Sequence, residues 1–295
     1  MDYSLNPKDH FGLIDTLDDQ DIDVAYAALG LATLGSKNMA FYVDHLQALV
    51  TATAERYHNL VGGPAGGTAG TDAISNPQAV EHDIHKQLNC LQAIIFEQFS
   101  YQGNRDNYDQ LENADLCTVI ERRTGMPIAL SIICIHVAKA QGWDAVGIAM
   151  PGHFICRLEL DGERLVFDPF NQAKALGASD LRALVKQALG PNAELKPEYY
   201  EAVSNRAILL RLQNNIKLRQ LEKRQFSEAL FTLETMRNIA PNEASLLFES
   251  GQLYANTDQP QAAINMLSMY LETAPPHYER SRANQLLQKL KSRLH

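Results

Sequence analysis

In the stretch MPGHFICRLELDGERLVFDPFN, residues 150–171, a histidine and a carboxylate flank a hairpin signal. His153 stands before a run of alternating apolar residues, Asp161-Gly162 interrupts it, and Asp168 closes the returning run. Asp-Gly suits the two positive-φ positions of a tight two-residue turn. With the turn placed there, Leu160 faces Glu163, and counting outward His153 faces Phe170 and Asp168 faces Ile155. Side chains alternate with period two, so imidazole and carboxylate emerge on one face as diagonal neighbours, roughly 7–8 Å apart at the backbone. Cys156 falls on the other face, and a register slip of one residue would part the pair. A histidine oriented by a carboxylate is the general base of nucleophilic catalysis. The same pair also serves as a structural hydrogen bond at a sheet end, and the two residues alone leave both readings open. A thiol or hydroxyl beside the histidine would decide between them.

The elements that position the pair are legible around it. WDAVGIAM, HFICRLEL and RLVFDPF alternate as strands. Before them, MPIALSIICIHVAKAQG is apolar on nearly every side as far as Lys139. It is expected to form a central buried helix, with Pro127 in its first turn and Gly142 as its stop. ENADLCTVIERRTG reads as a short helix stopped at Gly125, and SDLRALVKQAL as a helix capped by Ser179. Upstream, DIDVAYAALGLATL and KNMAFYVDHLQALVTATAERYHNLV carry helical spacing. NPQAVEHDIHKQLNCLQAIIFEQFSY begins with Asn76 as N-cap and Pro77 in the first turn. The Gly-rich stretch at 62–75 lacks the Gly-Lys-Ser/Thr ending of a phosphate loop and follows a helix, so it reads as a surface loop.

The last ninety-odd residues are helical and repeat with an offset of 34, the tetratricopeptide period. Ala229 matches Ala263, Leu230 matches Ile264, Leu233 matches Leu267 and Pro241 matches Pro275. Gly251 and Tyr254 fall at close-packing positions in the second copy, where the first carries Lys217 and Gln220. An unrelated helical bundle is the alternative. The expected fold class is α+β, mostly helical. A helical region spans 1–87, a core with the strands 88–190, and tetratricopeptide-like repeats 198–295, joined by a link too short to let the tail swing free.

Composition bounds the partners. A formal charge of −9 argues against non-specific binding to nucleic acid or an anionic membrane. No run of about 18 apolar residues suggests a membrane span. The acidic N-terminus lacks a signal-peptide pattern, so a cytosolic location is expected. Cys90, Cys117, Cys134 and Cys156 sit in apolar surroundings without a CxxC pair and read as reduced, buried thiols.

The stretches YQGNRDNY, VIERRTGMPIALSII, PGHFICR and FDPFN, in that order, resemble the bacterial SirB family, in which a transglutaminase-like region of papain type precedes tetratricopeptide repeats. The likeness runs from about Leu88 to the C-terminus. It implies a papain/transglutaminase-like core, with His153 at the catalytic histidine and Asp168 at the catalytic aspartate. It also implies a nucleophilic cysteine at the head of the buried helix, in a Gly-x-Cys context. Here that stretch reads Gly125-Met126-Pro127, and proline has neither thiol nor hydroxyl. Ser131 lies one helical turn and Cys134 two turns further on, displaced by about 5.4 Å per turn, whereas attack tolerates misplacement of only about 1 Å. Glu121, Arg122 and Arg123 belong to the same likeness. The arginines could hold a carboxylate beside His153, or simply favour the C-terminal end of their helix. Asn171 could brace the site or bond local backbone.

Three readings remain. The first is a catalytically silent adaptor that binds a protein partner through the repeats. The second is an amide-bond hydrolase or acyl transferase using His153, Asp168 and a displaced Ser131 or Cys134. The third is a module binding an anionic small ligand in the old cleft. No cofactor and no metal is implied: His82-x-x-His85, with Glu81 and Asp83, has no third ligand signalled nearby. His136, among apolar residues, reads as a core histidine, and Trp143 as packing.

Overall fold

The computed structural model describes residues 6–32, 38–61, 83–273 and 278–294. Three helices open the chain, α1 (Pro7–Gly12), α2 (Val24–Ala32) and α3 (Met39–Val61). The next is α4 (Ile84–Leu91), which runs on as a π-helical stretch, Gln92–Gln98. The start read at Asn76 and Pro77 and the Gly-rich stretch lie outside the described residues. Asp83 has extended backbone, and its side chain accepts a hydrogen bond from the His85 amide at 2.7 Å, capping the helix that starts at Ile84.

Two-residue strands β1 (Gln102–Gly103) and β2 (Thr124–Gly125) pair in parallel around α5 (Leu116–Arg122). The stop of α5 is Arg123, left-handed at φ 57°, and not Gly125, whose backbone is engaged with Gly103 in the β1–β2 pair. Then comes α6 (Pro127–Ala140), buried from Pro127 to Ala138, with Gly142 at φ 76° just beyond its end. This matches the periodicity: a helix apolar all round belongs in the interior.

A five-stranded antiparallel sheet follows, built from β3 (Asp144–Ile148), β4 (Ile155–Leu160), β5 (Glu163–Asp168), β6 (Lys174–Ala175) and β7 (Ala202–Val203) in the order β6-β5-β4-β3-β7. Asp161 (φ 50°) and Gly162 (φ 87°) form the expected turn and set Leu160 opposite Glu163. One sheet face, with Ala145, Cys156, Leu158 and Phe167, joins the main core around α6. The other, with Ile148 and Ile155, packs on Leu181 and Val185 of α7 (Ala178–Leu189). The cap of α7 is Gly177 and not Ser179: Asp180 in the first turn accepts the Gly177 amide at 3.0 Å, which fixes the start two residues earlier.

Five helices complete the chain, α8 (Asn205–Glu222), α9 (Phe226–Ile239), α10 (Ala244–Asn256), α11 (Pro260–Thr273) and α12 (Tyr278–Leu294). α9 and α11 have equal length and start 34 residues apart, at Phe226 and Pro260. A Cβ on Gly251 would lie 2.7 Å from Leu267, so α10 and α11 need a glycine there. At the matching place in α8, Lys217 is buried and ion-paired with Glu249, and Gln220 accepts from Thr232 Oγ1 at 2.8 Å. The tail is anchored: β7 pairs with β3, and Ile208, Leu209 and Leu212 of α8 enter the core that also takes in α2, α3 and α6. That single core crosses residue 87, which lies inside α4.

Candidate functional site

The β4–β5 ladder ends at the rung Cys156–Phe167. His153 therefore lies outside it, in the turn before β4, where Gly152 takes φ 69° and the His153 amide donates to Met150 O at 3.2 Å. It does not open the strand opposite Phe170, as simple alternation suggested. Past the ladder Asp168 accepts the Phe170 amide at 2.9 Å and starts a single 3-10 turn, Pro169–Asn171. The turn before β4 and the last residue of β5 bring the side chains together: His153 Nε2 lies 2.9 Å from Asp168 Oδ2. The carboxylate is 1% exposed and also accepts from Asn171 Nδ2. Asn171 Oδ1 in turn accepts from Arg105, whose guanidinium stands over the Phe170 ring at 5.4 Å. Asn171 thus braces the site through its side chain, linking carboxylate and arginine. Gly103 permits the arrangement, because a Cβ there would sit 2.6 Å from the Phe170 ring. Arg211 of α8 donates to the His153 carbonyl at 3.0 Å and covers Phe154.

The nucleophile candidates lie elsewhere. Pro127 is the first residue of α6, and Ser131 and Cys134 are fully buried further along it. Among the described residues Ser131 Oγ has no hydrogen-bond partner, neither residue bonds His153, and His153 Nδ1 has no hydrogen-bond partner. Burial pushes the Cys134 thiol well above its ordinary value, with Cys156 adding to it. Cys156 stands at about 12, raised by burial and by the charge of Asp168 against a bond towards Ser131. Reactive thiols are depressed and partly exposed, and these are neither. All four cysteines are buried. A disulfide reagent at pH 7 is therefore expected to label none in the native protein and all four in urea. Fast labelling of one thiol that disappears in His153→Ala would reveal a reactive site instead.

Glu121, Arg122 and Arg123 are not at the histidine, contrary to expectation. Glu121 accepts from the Tyr42 hydroxyl, and Arg122 is exposed. Arg123 bonds His45 Nε2 at 2.7 Å and the Tyr101 hydroxyl at 3.0 Å, its left-handed backbone turning it inward to α3. His45 is held near 4 by burial and by the Arg123 charge, hence neutral. The arginines of the site are Arg105 and Arg211. Arg105 belongs to the YQGNRDNY stretch, a signal that carried no role. Arg211, inside a helix distant in sequence, gave none.

His153, Arg105, Tyr108, Phe170 and Asn171 line a cavity of about 440 Å³ whose far wall is α7, with Leu184 and Ala188. A second cavity, about 530 Å³, adjoins it across Arg105, Phe170 and Asn171. A larger one of about 650 Å³, between α3 and the β4–β5 turn, contains neither member of the His–Asp pair. His136 is buried with Nδ1 2.8 Å from Asp23 Oδ2, and Trp143 packs edge-on to Tyr57. His85 is exposed, 3.8 Å from Glu163; His82 and Glu81 lie outside the described residues. Among the described residues no histidine, cysteine and carboxylate cluster could hold a metal ion, and no helix is long and apolar enough to cross a membrane.

Comparison with known proteins adds a lineage to this geometry. The model of the transglutaminase-like superfamily matches residues 41–214, from α3 into α8, and so spans every group of the site. A UPF0162 protein of Xylella fastidiosa (strain 9a5c) is 33% identical over 192 residues, 64% of this chain and 68% of that protein. The UPF0162 protein YchA of Escherichia coli K12 is 26% identical over 65% of this chain and 71% of its own length. Protein SirB1 of Salmonella typhimurium is 26% identical over 64% and 71%. No solved structure matches.

Proposed function

This chain belongs to the transglutaminase-like superfamily and, within it, to the SirB1/UPF0162 family; from that premise we propose that it is a catalytically silent member working as a cytosolic adaptor. Its cleft binds where relatives of the fold react, and its tail, read as tetratricopeptide-like repeats, meets a protein partner. One observation carries the silent reading. The helix that should begin with a nucleophile begins with Pro127, and the hydroxyl and thiol behind it are sealed from solvent, so no thiol or hydroxyl bonds His153 among the described residues. A histidine–carboxylate pair without its nucleophile orients and binds. The 34-residue offset of α9 and α11 supports the repeat reading, and Leu218 and Phe231 are exposed apolar side chains on α8 and α9. Four cysteines without a disulfide suit a cytosolic location.

The test is turnover by the full chain: amine incorporation into casein, glutamine deamidation and hydrolysis of an activated ester. The expected result is no activity above background, unchanged in His153→Ala. Turnover that drops a hundredfold or more in His153→Ala would overturn the silent reading. For the adaptor role, a partner co-purifying with the wild type is expected to be lost when Leu218 and Phe231 are both replaced by Asp.

A further inference from the structure

We infer that the cavity beside His153 is a carboxylate-binding site. Arg105 and His153 are its recognising groups, and the α7 wall receives the apolar group that bears the carboxylate. The inference rests on the binding reading of this cleft and names the chemistry it takes.

The charge distribution points that way. The chain carries net charge −9, yet no carboxylate lines the His153 cavity. Asp168 stands behind the histidine, 1% exposed, and its oxygens already take three donors: His153 Nε2, the Phe170 amide and Asn171 Nδ2. Among the described residues Arg105 makes no ion pair; it bonds the Asn171 amide oxygen and stands over the Phe170 ring. A guanidinium offers five N–H donors, so Asn171 leaves most of them available, and the fork matches a planar carboxylate. Arg211 is also without a carboxylate partner among the described residues. It lies against the His153 carbonyl and Phe154, with its pKa lowered by burial. Two guanidiniums near one histidine, Arg105 exposed to solvent and Arg211 partly buried, make a positive end in an acidic protein that an anion can reach. His153 adds the ring nitrogen that Asp168 does not hold, Nδ1, which has no hydrogen-bond partner among the described residues and donates to a carboxylate when the ring carries both protons.

The rest of the cavity selects the acid. Phe170, Tyr108, Pro151, Leu184 and Ala188 give it aromatic and aliphatic walls. At one end Gly152 closes on Ala188, where an added Cβ would lie 3.0 Å from the Ala188 Cβ. About 440 Å³ is within the range of small-ligand pockets and fits one residue-sized apolar acid. A peptide C-terminus and a free organic acid share this chemistry. The adjoining cavity across Arg105 gives a longer ligand room to continue.

The probe pair is N-acetyl-leucine and its amide, with acetyl-Ala-Ala-Leu as the peptide arm, titrated calorimetrically into the full chain. The acid is expected to bind at least tenfold more tightly than the amide, as one charge-assisted contact warrants. Arg105→Gln and His153→Gln should each cost tenfold or more, Arg105→Lys should recover part of the loss, and the exposed control Arg164→Gln should change nothing. Thermal unfolding of each variant separates lost binding from lost fold. A tripeptide tenfold tighter than the single residue assigns the site to peptide C-termini, and equal affinity assigns it to small acids. Acid and amide binding equally, or neither binding, overturns the inference. That failure would leave the turnover assay silent, whereas failure of the non-catalytic reading appears in that assay alone.

Discussion

Asp168→Ala is expected to lower the free energy of unfolding by about 3 kcal/mol or more, read as a shift of the urea midpoint with unchanged slope. The carboxylate is buried and gathers three donors from three residues: the His153 ring, the Phe170 amide that starts the 3-10 turn, and the Asn171 side chain. Alanine leaves all three without their acceptor at once, and each buried donor so stranded costs about 1–3 kcal/mol. His153 is 14% exposed and water recovers part of its share, which keeps the total near the lower end for a broken buried pair. Asp168→Asn keeps the shape and one acceptor oxygen for the Phe170 amide, so it is expected to cost about half as much. A loss below about 1 kcal/mol in Asp168→Ala would mean that the carboxylate is not the hub of this turn. The same change frees Asn171 and through it Arg105, so the carboxylate site should weaken with the fold rather than separately from it.

The contrast between His153 and Arg123 shows what the sequence could and could not reveal about this site. Asp161-Gly162 set the register correctly, because a two-residue turn fixes every rung behind it. The rule of alternation then failed one step past the last rung. His153 and Asp168 do meet, but because a glycine turn carries His153 out of the strand while Asp168, beyond the last β4–β5 rung, ends β5 at an Asp-Pro turn. No periodicity encodes that. Arg123 fell the other way. Its motif sits next to α6 in sequence, yet a single left-handed residue rotates the guanidinium onto His45 and Tyr101. Arg211 reaches the site from α8, 58 residues after His153, and such a contact exists only once the tail has packed.

The boundaries taught a related lesson. Helix α6 was legible from end to end because a run apolar on nearly every side from Pro127 to Ala138 has one stable destination. The start of α7 was not. Asp180 braces it from within the first turn, and it competed with an equally good cap nearby, Ser179. Short polar side chains cap interchangeably, so local sequence ranks the candidates poorly. The division at residue 87 followed where the family likeness begins, and the core runs across it, since α2 and α3 bury against α6 and α8.

Asp23→Ala tests that unity of the core and is expected to cost about 4 kcal/mol or more. One carboxylate oxygen accepts the amides of Ala25 and Tyr26, at 2.9 and 3.0 Å, and so caps α2. The other lies 2.8 Å from Nδ1 of His136, in the middle of α6. A lost cap accounts for about 1 kcal/mol, and a broken buried pair for about 3–5 kcal/mol. The pair joins the N-terminal helices to the central helix of the core, so the loss should appear as one cooperative transition at lower urea. A separate early transition would instead mean that the N-terminal helices unfold by themselves. Acid should reveal the same linkage. Burial pushes the Asp23 carboxyl up, but His136 and the two amides outweigh it and hold it below the usual range. Its contribution is therefore complete above about pH 4 and lost as pH falls further. His10, which accepts the Asp23 amide at 3.1 Å, is lowered by burial against the pull of that carboxylate. Its folded form resists protonation, so stability begins to fall below about pH 6.5, before the carboxylate responds. In Asp23→Ala the lower of these two limbs should vanish from the stability profile. A profile that kept the wild-type slope below pH 4 would show that other carboxylates govern acid unfolding.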